Sequence, residues 1–166
     1  MKVLLSLLLL LSSAKSAAFC FEAAGTRYSI DPLLLRAIAT VESQLNARAI
    51  NHNRDKKTGK ILSSDYGVMQ INSTHIAGLR SAGIIRSHQD LLDNPCLNVQ
   101  TGAWILARHF QTCRVSWNCL GSYNAGFKDR NDAIREAYAS RVYQHYRRLM
   151  RDERGISLSP GGRHAD

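Results

Sequence analysis

At 166 residues the chain has the length of one domain and enough apolar residues to bury a core. Its 22 Lys and Arg against 13 Asp and Glu leave a formal charge of +9, which suits a polyanionic partner. No recognition motif for nucleic acid accompanies that charge, and the cysteines and histidines fit no zinc spacing, so no nucleic acid, metal or cofactor is expected.

The chain opens with Met1 and Lys2, then an apolar run from Val3 to Leu11 broken only by Ser6. Ser16-Ala-Ala18 follows as a small-x-small site. Residues 1–18 therefore read as a secretory signal peptide, too short to span a bilayer, with the mature chain starting at Phe19. Bulky Phe19 before Cys20 argues against lipid attachment, so no stable membrane anchor is expected. Losing Lys2 and Lys15 lowers the charge from +9 to +7. Export makes Cys20, Cys96, Cys113 and Cys119 disulfide partners. Four cysteines allow three pairings. The close spacing of Cys113 and Cys119 favours a small loop between them, which leaves Cys20 with Cys96.

Phe19 to Tyr28 predicts a short helix with Phe21 and Ala24 inward and Gly25 weakening its end. A second helix starts at Asp31, a capping residue, with Pro32 in its first turn. Leu34, Ile38, Val41 and Leu45 repeat at helical spacing, and flanking apolar residues predict burial nearly all round. Glu42 stands near its C-terminal end, one to two turns from Leu35, Ile38 and Ala39. A carboxyl there is costly unless it is protonated, paired or opens onto a cleft.

From Ala47 to Ser64 the sequence turns polar and predicts a surface loop or small hairpin, with Gly59 at its turn. Gly67 permits a tight turn next, with Met69 and Ile71 inward and Gln70 and Asn72 available for hydrogen bonding. A short helix over Ser73 to Leu79 and a turn over Asp90 to Asn94 lead to a long helix that Asn94 caps and Pro95 begins. Val99, Ala103, Leu106 and Phe110 form its stripe, and Gly102 predicts close approach of a neighbouring helix. Gly126 stops the segment after Cys119. A last helix over 129–150 carries Ile134, Ala137, Tyr138, Val142, Tyr146 and Leu149 on one side. Residues 151–166 are polar and predict a disordered tail.

Four pieces stand in order: Glu42-Ser43, Tyr66-Gly-Val-Met-Gln-Ile71, Ser122-Tyr-Asn-Ala-Gly126, and Tyr138 with Val142-Tyr143. Together they resemble the soluble lytic transglycosylases of the lysozyme superfamily. The likeness is greatest to the small exported members associated with conjugation and secretion machinery, and it covers residues 19–150. The resemblance implies a mainly α-helical, lysozyme-like α+β fold with a small loop or hairpin region after the helix bearing Glu42. It implies that Glu42 is the catalytic acid, with Tyr138 close to it. Ser43, Met69, Gln70, Tyr123 and Asn124 match substrate-binding positions, with Val68 in place of the usual leucine.

The implied substrate is peptidoglycan, and the implied location is the periplasm. Cleaving its MurNAc-β-1,4-GlcNAc bond needs an acid on the leaving oxygen, protonated near neutral pH. In the family the substrate's N-acetyl group and 6-hydroxyl complete the reaction, which leaves a 1,6-anhydro end. The implied setting is a conjugation, pilus or secretion apparatus. Two rival readings stand beside this one. A hydrolytic muramidase would use water and a second carboxylate, for which Asp55 and Asp65 are candidates. A peptidoglycan-binding module would have lost catalysis.

Overall fold

Two short helices meet at Gly25 and set the N-terminal part of the fold. In the computed structural model, which describes residues 19–157, these are α1 (Phe21–Tyr28) and α2 (Pro32–Ser43). Phe21 and Ala24 are buried as expected. Gly25 does not end α1. It lies within the helix, where a Cβ would sit 2.8 Å from the Pro32 Cγ, so its role is close helix approach. The helix stops at Ser29, which takes a left-handed conformation. At the start of α2 the Asp31 carboxylate accepts from Leu33 N at 2.8 Å, and Pro32 occupies the first turn.

Burial around α2 is one-sided rather than complete. Leu35, Ala37, Ile38 and Ala39 are buried, Leu34 and Val41 are partly covered, and Arg36 is exposed. Gln44 and Leu45 both adopt positive φ, so the helix ends at Ser43 and Leu45 lies beyond it.

The polar stretch after α2 forms a hairpin of β1 (Ile50–Arg54) and β2 (Ile61–Tyr66), with Gly59 at φ 69° in its loop. β3 (Ile71–Asn72) extends it to an antiparallel sheet in the order β1-β2-β3. A 3-10 turn (Ser73–His75) and α3 (Ile76–Ser81) follow. Where a turn was expected near Asp90 there is a one-turn helix, α4 (Gln89–Asp93). Asn94 then caps α5 (Pro95–Cys113), accepting from Leu97 N at 3.0 Å. Val99, Ala103 and Leu106 are fully buried along α5. Gly102 faces a side chain rather than a helix, since a Cβ would lie 2.8–2.9 Å from Met69 atoms.

The region after Cys113 contains α6 (Trp117–Ala125), capped by Ser116 and stopped at Gly126. A 3-10 turn (Asp129–Asn131) leads into α7 (Asp132–Ser157). Its inward face differs from the expected one. Ile134 is 52% exposed and Ala137 is exposed, whereas Arg135, Tyr138, Ala139 and Val142 are buried. Arg135 folds back onto the carbonyls of Gly126 and Lys128 and pairs with Asp132. Tyr146 donates to the second oxygen of Asp31 at 2.5 Å, which ties α7 to the start of α2.

The last helix passes Met150 and continues to Ser157, so the first seven residues of the expected disordered tail are helical. The remainder, and the expected signal peptide, lie outside the described residues. Disulfides join Cys20 to Cys96 and Cys113 to Cys119, the expected pairing. The first pins the N-terminal helix to the start of α5, and the second closes the link from α5 to α6. Helices with a small antiparallel sheet make the mainly α class expected from the sequence.

Candidate active site

The C-terminal turn of α2 brings Glu42 to a cleft of about 220 Å³, opposite the sheet. Tyr138 of α7 donates to Glu42 Oε1 at 2.5 Å. Two residues 96 positions apart thus meet at one oxygen. Removal from water raises the Glu42 pKa most strongly, and the charge of Asp65 adds to that; the Tyr138 hydrogen bond and Arg141 pull the other way. The balance places it at about 7, so about half of the carboxyls keep their proton at pH 7. Tyr138 itself is pushed well above the usual phenol range by burial and by the Glu42 charge, so it remains a donor. Arg141 lies over the Tyr138 ring at 5.6 Å.

The turn Gly67–Gln70 brings Gln70 to the cleft, and side chains from elsewhere hold its backbone. Asn98 of α5 donates to the Tyr66 carbonyl at 2.8 Å and accepts from Met69 N at 2.8 Å. Gln70 Nε2 donates to the Gly67 carbonyl at 2.7 Å. Ser43 of α2 donates to the Val68 carbonyl at 2.8 Å, and Tyr123 of α6 to the Met69 carbonyl at 2.9 Å. Four consecutive carbonyls, on residues 66–69, therefore each meet a side-chain donor. Gly67 has φ +76°, and a Cβ there would collide with the Asn98 amide.

The residues singled out from the sequence divide into two groups around this turn. Glu42, Gln70, Tyr123 and Asn124 line the cleft. Ser43, Met69 and Tyr138 stand behind it. Met69 is fully buried against Gly102, and Ser43 spends its hydroxyl on Val68. Gln70 is nearly buried, and its amide is committed to Gly67, Ala49 and Asn51 rather than left available.

Sequence reasoning read Asn72 only as a hydrogen-bonding group and passed over Asn53, His75 and Ile105 in the lining, and Asn98 behind it. Strand register could have placed Asn53 and Asn72 there. Asp65 pairs with Asn72 on one side and with Asn51 on the other, which puts Asn53 on the same face two residues along. Asn53 and Asn72 each donate to Asp65 at 2.7 Å. Asp65 lines the cleft with Glu42. Asp55 does not, because its carboxylate caps the hairpin loop through Lys57 and Thr58. Nothing local marked Asn98, whose partners come from other elements.

A half-open cleft, one protonated carboxyl and a tyrosine donor on it can deliver a proton to a leaving oxygen. The chain is 51% identical over 145 residues to a "Peptidoglycan-binding-like protein" of Escherichia coli O157:H7, covering 87% of this chain and 86% of that one. It is 40% identical over 140 residues to "Invasion protein IagB" of Salmonella typhimurium (strain SL1344), covering 84% and 82%. It is 41% identical over 144 residues to "X polypeptide" of Escherichia coli (strain K12), covering 86% and 80%. The profile of the Transglycosylase SLT domain matches residues 19–145. With that domain spanning most of its length, the chain belongs to the SLT transglycosylase family, whose substrate is peptidoglycan.

Proposed function

We propose that this protein is a lytic transglycosylase that cleaves the MurNAc-β-1,4-GlcNAc bond of peptidoglycan and leaves 1,6-anhydroMurNAc ends. The observation that carries the reading is the pair Tyr138–Glu42: a carboxyl with a pKa of about 7, opening onto a cleft and held by a phenol. Glu42 gives its proton to the glycosidic oxygen as the bond breaks. The substrate's N-acetyl group covers the developing positive charge. Glu42 then takes the proton of the 6-hydroxyl as that oxygen closes on C1. Tyr138 orients the carboxyl and stabilises it while it is charged. The other neutral side chains shape the groove, with Gln70, Tyr123 and Asn124 along its wall.

The cellular reading rests on relatives. We place the mature chain, from Phe19, in the periplasm, where it opens the wall locally for a secretion, pilus or conjugation apparatus. Similarity to an invasion protein supports that setting. No described helix is long and apolar enough to cross a membrane.

The deciding experiment is the mass of muropeptides released from sacculi by residues 19–166. Products one water lighter than those of a muramidase support the reading, and full-mass reducing ends overturn it. One observation favours the muramidase alternative: Asp65 lines the same cleft and its charge acts on Glu42, a second carboxylate of the kind a hydrolase uses. Absence of release by the folded protein would leave a binding module.

A further inference from the structure

The cleft wall is rich in polar side chains, but nearly all its donors are spent on the protein. Asn53 and Asn72 each use their amide nitrogen on both Asp65 and Ser63. Gln70 Nε2 is shared between the carbonyls of Gly67 and Ala49. The Tyr123 hydroxyl goes to Met69. An amide nitrogen carries two hydrogens and a phenol one, so these groups have none left for a ligand. Apart from the Glu42 carboxyl, two lining residues remain, Asn124 and His75, and neither has a side-chain hydrogen-bond partner among the described residues.

His75 is half-buried at the end of the 3-10 turn after β3. Burial and the nearby Arg108 both depress its basicity, so the ring is neutral at pH 7. A neutral imidazole presents one donor and one acceptor. The neighbouring His109 cannot take this role. Ser122 donates its hydroxyl hydrogen to the Cys119 carbonyl at 2.6 Å, so His109 Nδ1 must be the donor in its 2.8 Å contact with Ser122. That ring is fixed by the scaffold, and the His75 ring is not. Ile105, also in the cleft lining, supplies an apolar surface.

We propose that His75 is a substrate-binding residue of this cleft and reads a neutral acetamido or hydroxyl group of the glycan through its donor and acceptor nitrogens. An acetamido group offers a carbonyl acceptor, an N–H donor and a methyl, which match the imidazole and the isoleucine. The inference rests on the peptidoglycan reading above and adds a residue that determines affinity for the sugar.

The test is calorimetric binding of an N-acetylglucosamine tetramer to the Glu42→Gln protein, in which turnover cannot interfere. Adding His75→Leu should weaken binding about tenfold, the size of one or two net hydrogen bonds. Adding His75→Gln, which keeps a donor and an acceptor, should recover most of that loss. With Glu42 intact, His75→Leu should raise KM on sacculi more than it lowers kcat. Thermal melts establish that each variant is folded. Unchanged affinity in His75→Leu, or a His75→Gln variant as weak as His75→Leu, overturns the role of His75 while the glycan reading stands. A Glu42→Gln parent that binds no tetramer, together with a wild-type chain that releases no muropeptide, overturns the glycan reading itself.

Discussion

Gly121 of α6 lies directly against the backbone of Arg135 in α7: a Cβ on Gly121 would come within 2.6 Å of the Arg135 Cα and also meet its carbonyl group. This contact sets how α7 is rotated. Arg135 is drawn inward, Ile134 turns to solvent, and Tyr138, one turn on, is aimed at Glu42. Gly121→Ala should therefore destabilise the protein by about 1–3 kcal/mol, because backbone rather than a flexible side chain must move. It should also lower turnover by displacing Tyr138. Chemical denaturation and release assays on the same preparation check both effects; a variant with wild-type stability would show that the two helices separate freely.

Glu42→Gln should abolish measurable release, a loss of at least about 10²–10⁴-fold. Its effect on stability runs the other way. The folded pKa of about 7 lies above the ordinary value of 4.5, so the native state holds the proton more tightly than the unfolded chain. The wild type thus loses stability as pH rises from about 4.5 to 7, up to about 3 kcal/mol. Glutamine keeps the shape and an acceptor for Tyr138 without that loss. The melting temperature of the variant should exceed wild type at pH 8 and match it below pH 4. An inactive variant that melts lower at pH 8 would identify Glu42 as a structural carboxylate.

Tyr138→Phe should reduce kcat about 10²-fold with a much smaller change in glycan affinity. The hydroxyl stabilises the ionised form of Glu42, so its removal raises the Glu42 pKa further. The alkaline limb of the pH–rate profile should therefore move to higher pH in the variant. An alkaline limb that stays in place, with wild-type kcat, would make Tyr138 a packing residue.

The two disulfides should differ in what they contribute. Cys20–Cys96 spans 76 residues and Cys113–Cys119 spans 6. In the chain-entropy description the first is worth about 4–5 kcal/mol and the second about 2 kcal/mol. Paired Cys→Ser variants, melted under identical conditions, should show the larger loss for the long closure. Equal losses would mean that the two cross-links act on the native state rather than on the unfolded chain.

Much of the framework was legible in the residue order because its causes are local. Asp31 before Pro32 and Asn94 before Pro95 mark helix starts through contacts only two or three residues long. Gly59 in a polar run marks the hairpin turn, and the spacing of Cys113 and Cys119 marks a short loop. The order of the Glu42, Gln70, Asn124 and Tyr138 segments identified the family that the SLT match bears out.

What the tertiary structure alone decided is which way each side chain faces and which donors remain free. Gly102 receives Met69 rather than a helix, and α7 turns Arg135 inward, because the neighbours that arrive there come from distant segments. Gln70 and Asn72 read as available hydrogen-bonding groups, yet both are used up by partners that strand pairing and the Gly67 turn deliver. The elevated pKa of Glu42 has the same origin. A sequence can place a carboxyl near apolar residues, but its proton affinity depends on how much water the assembled helices exclude and on Tyr138, Asp65 and Arg141 meeting around it.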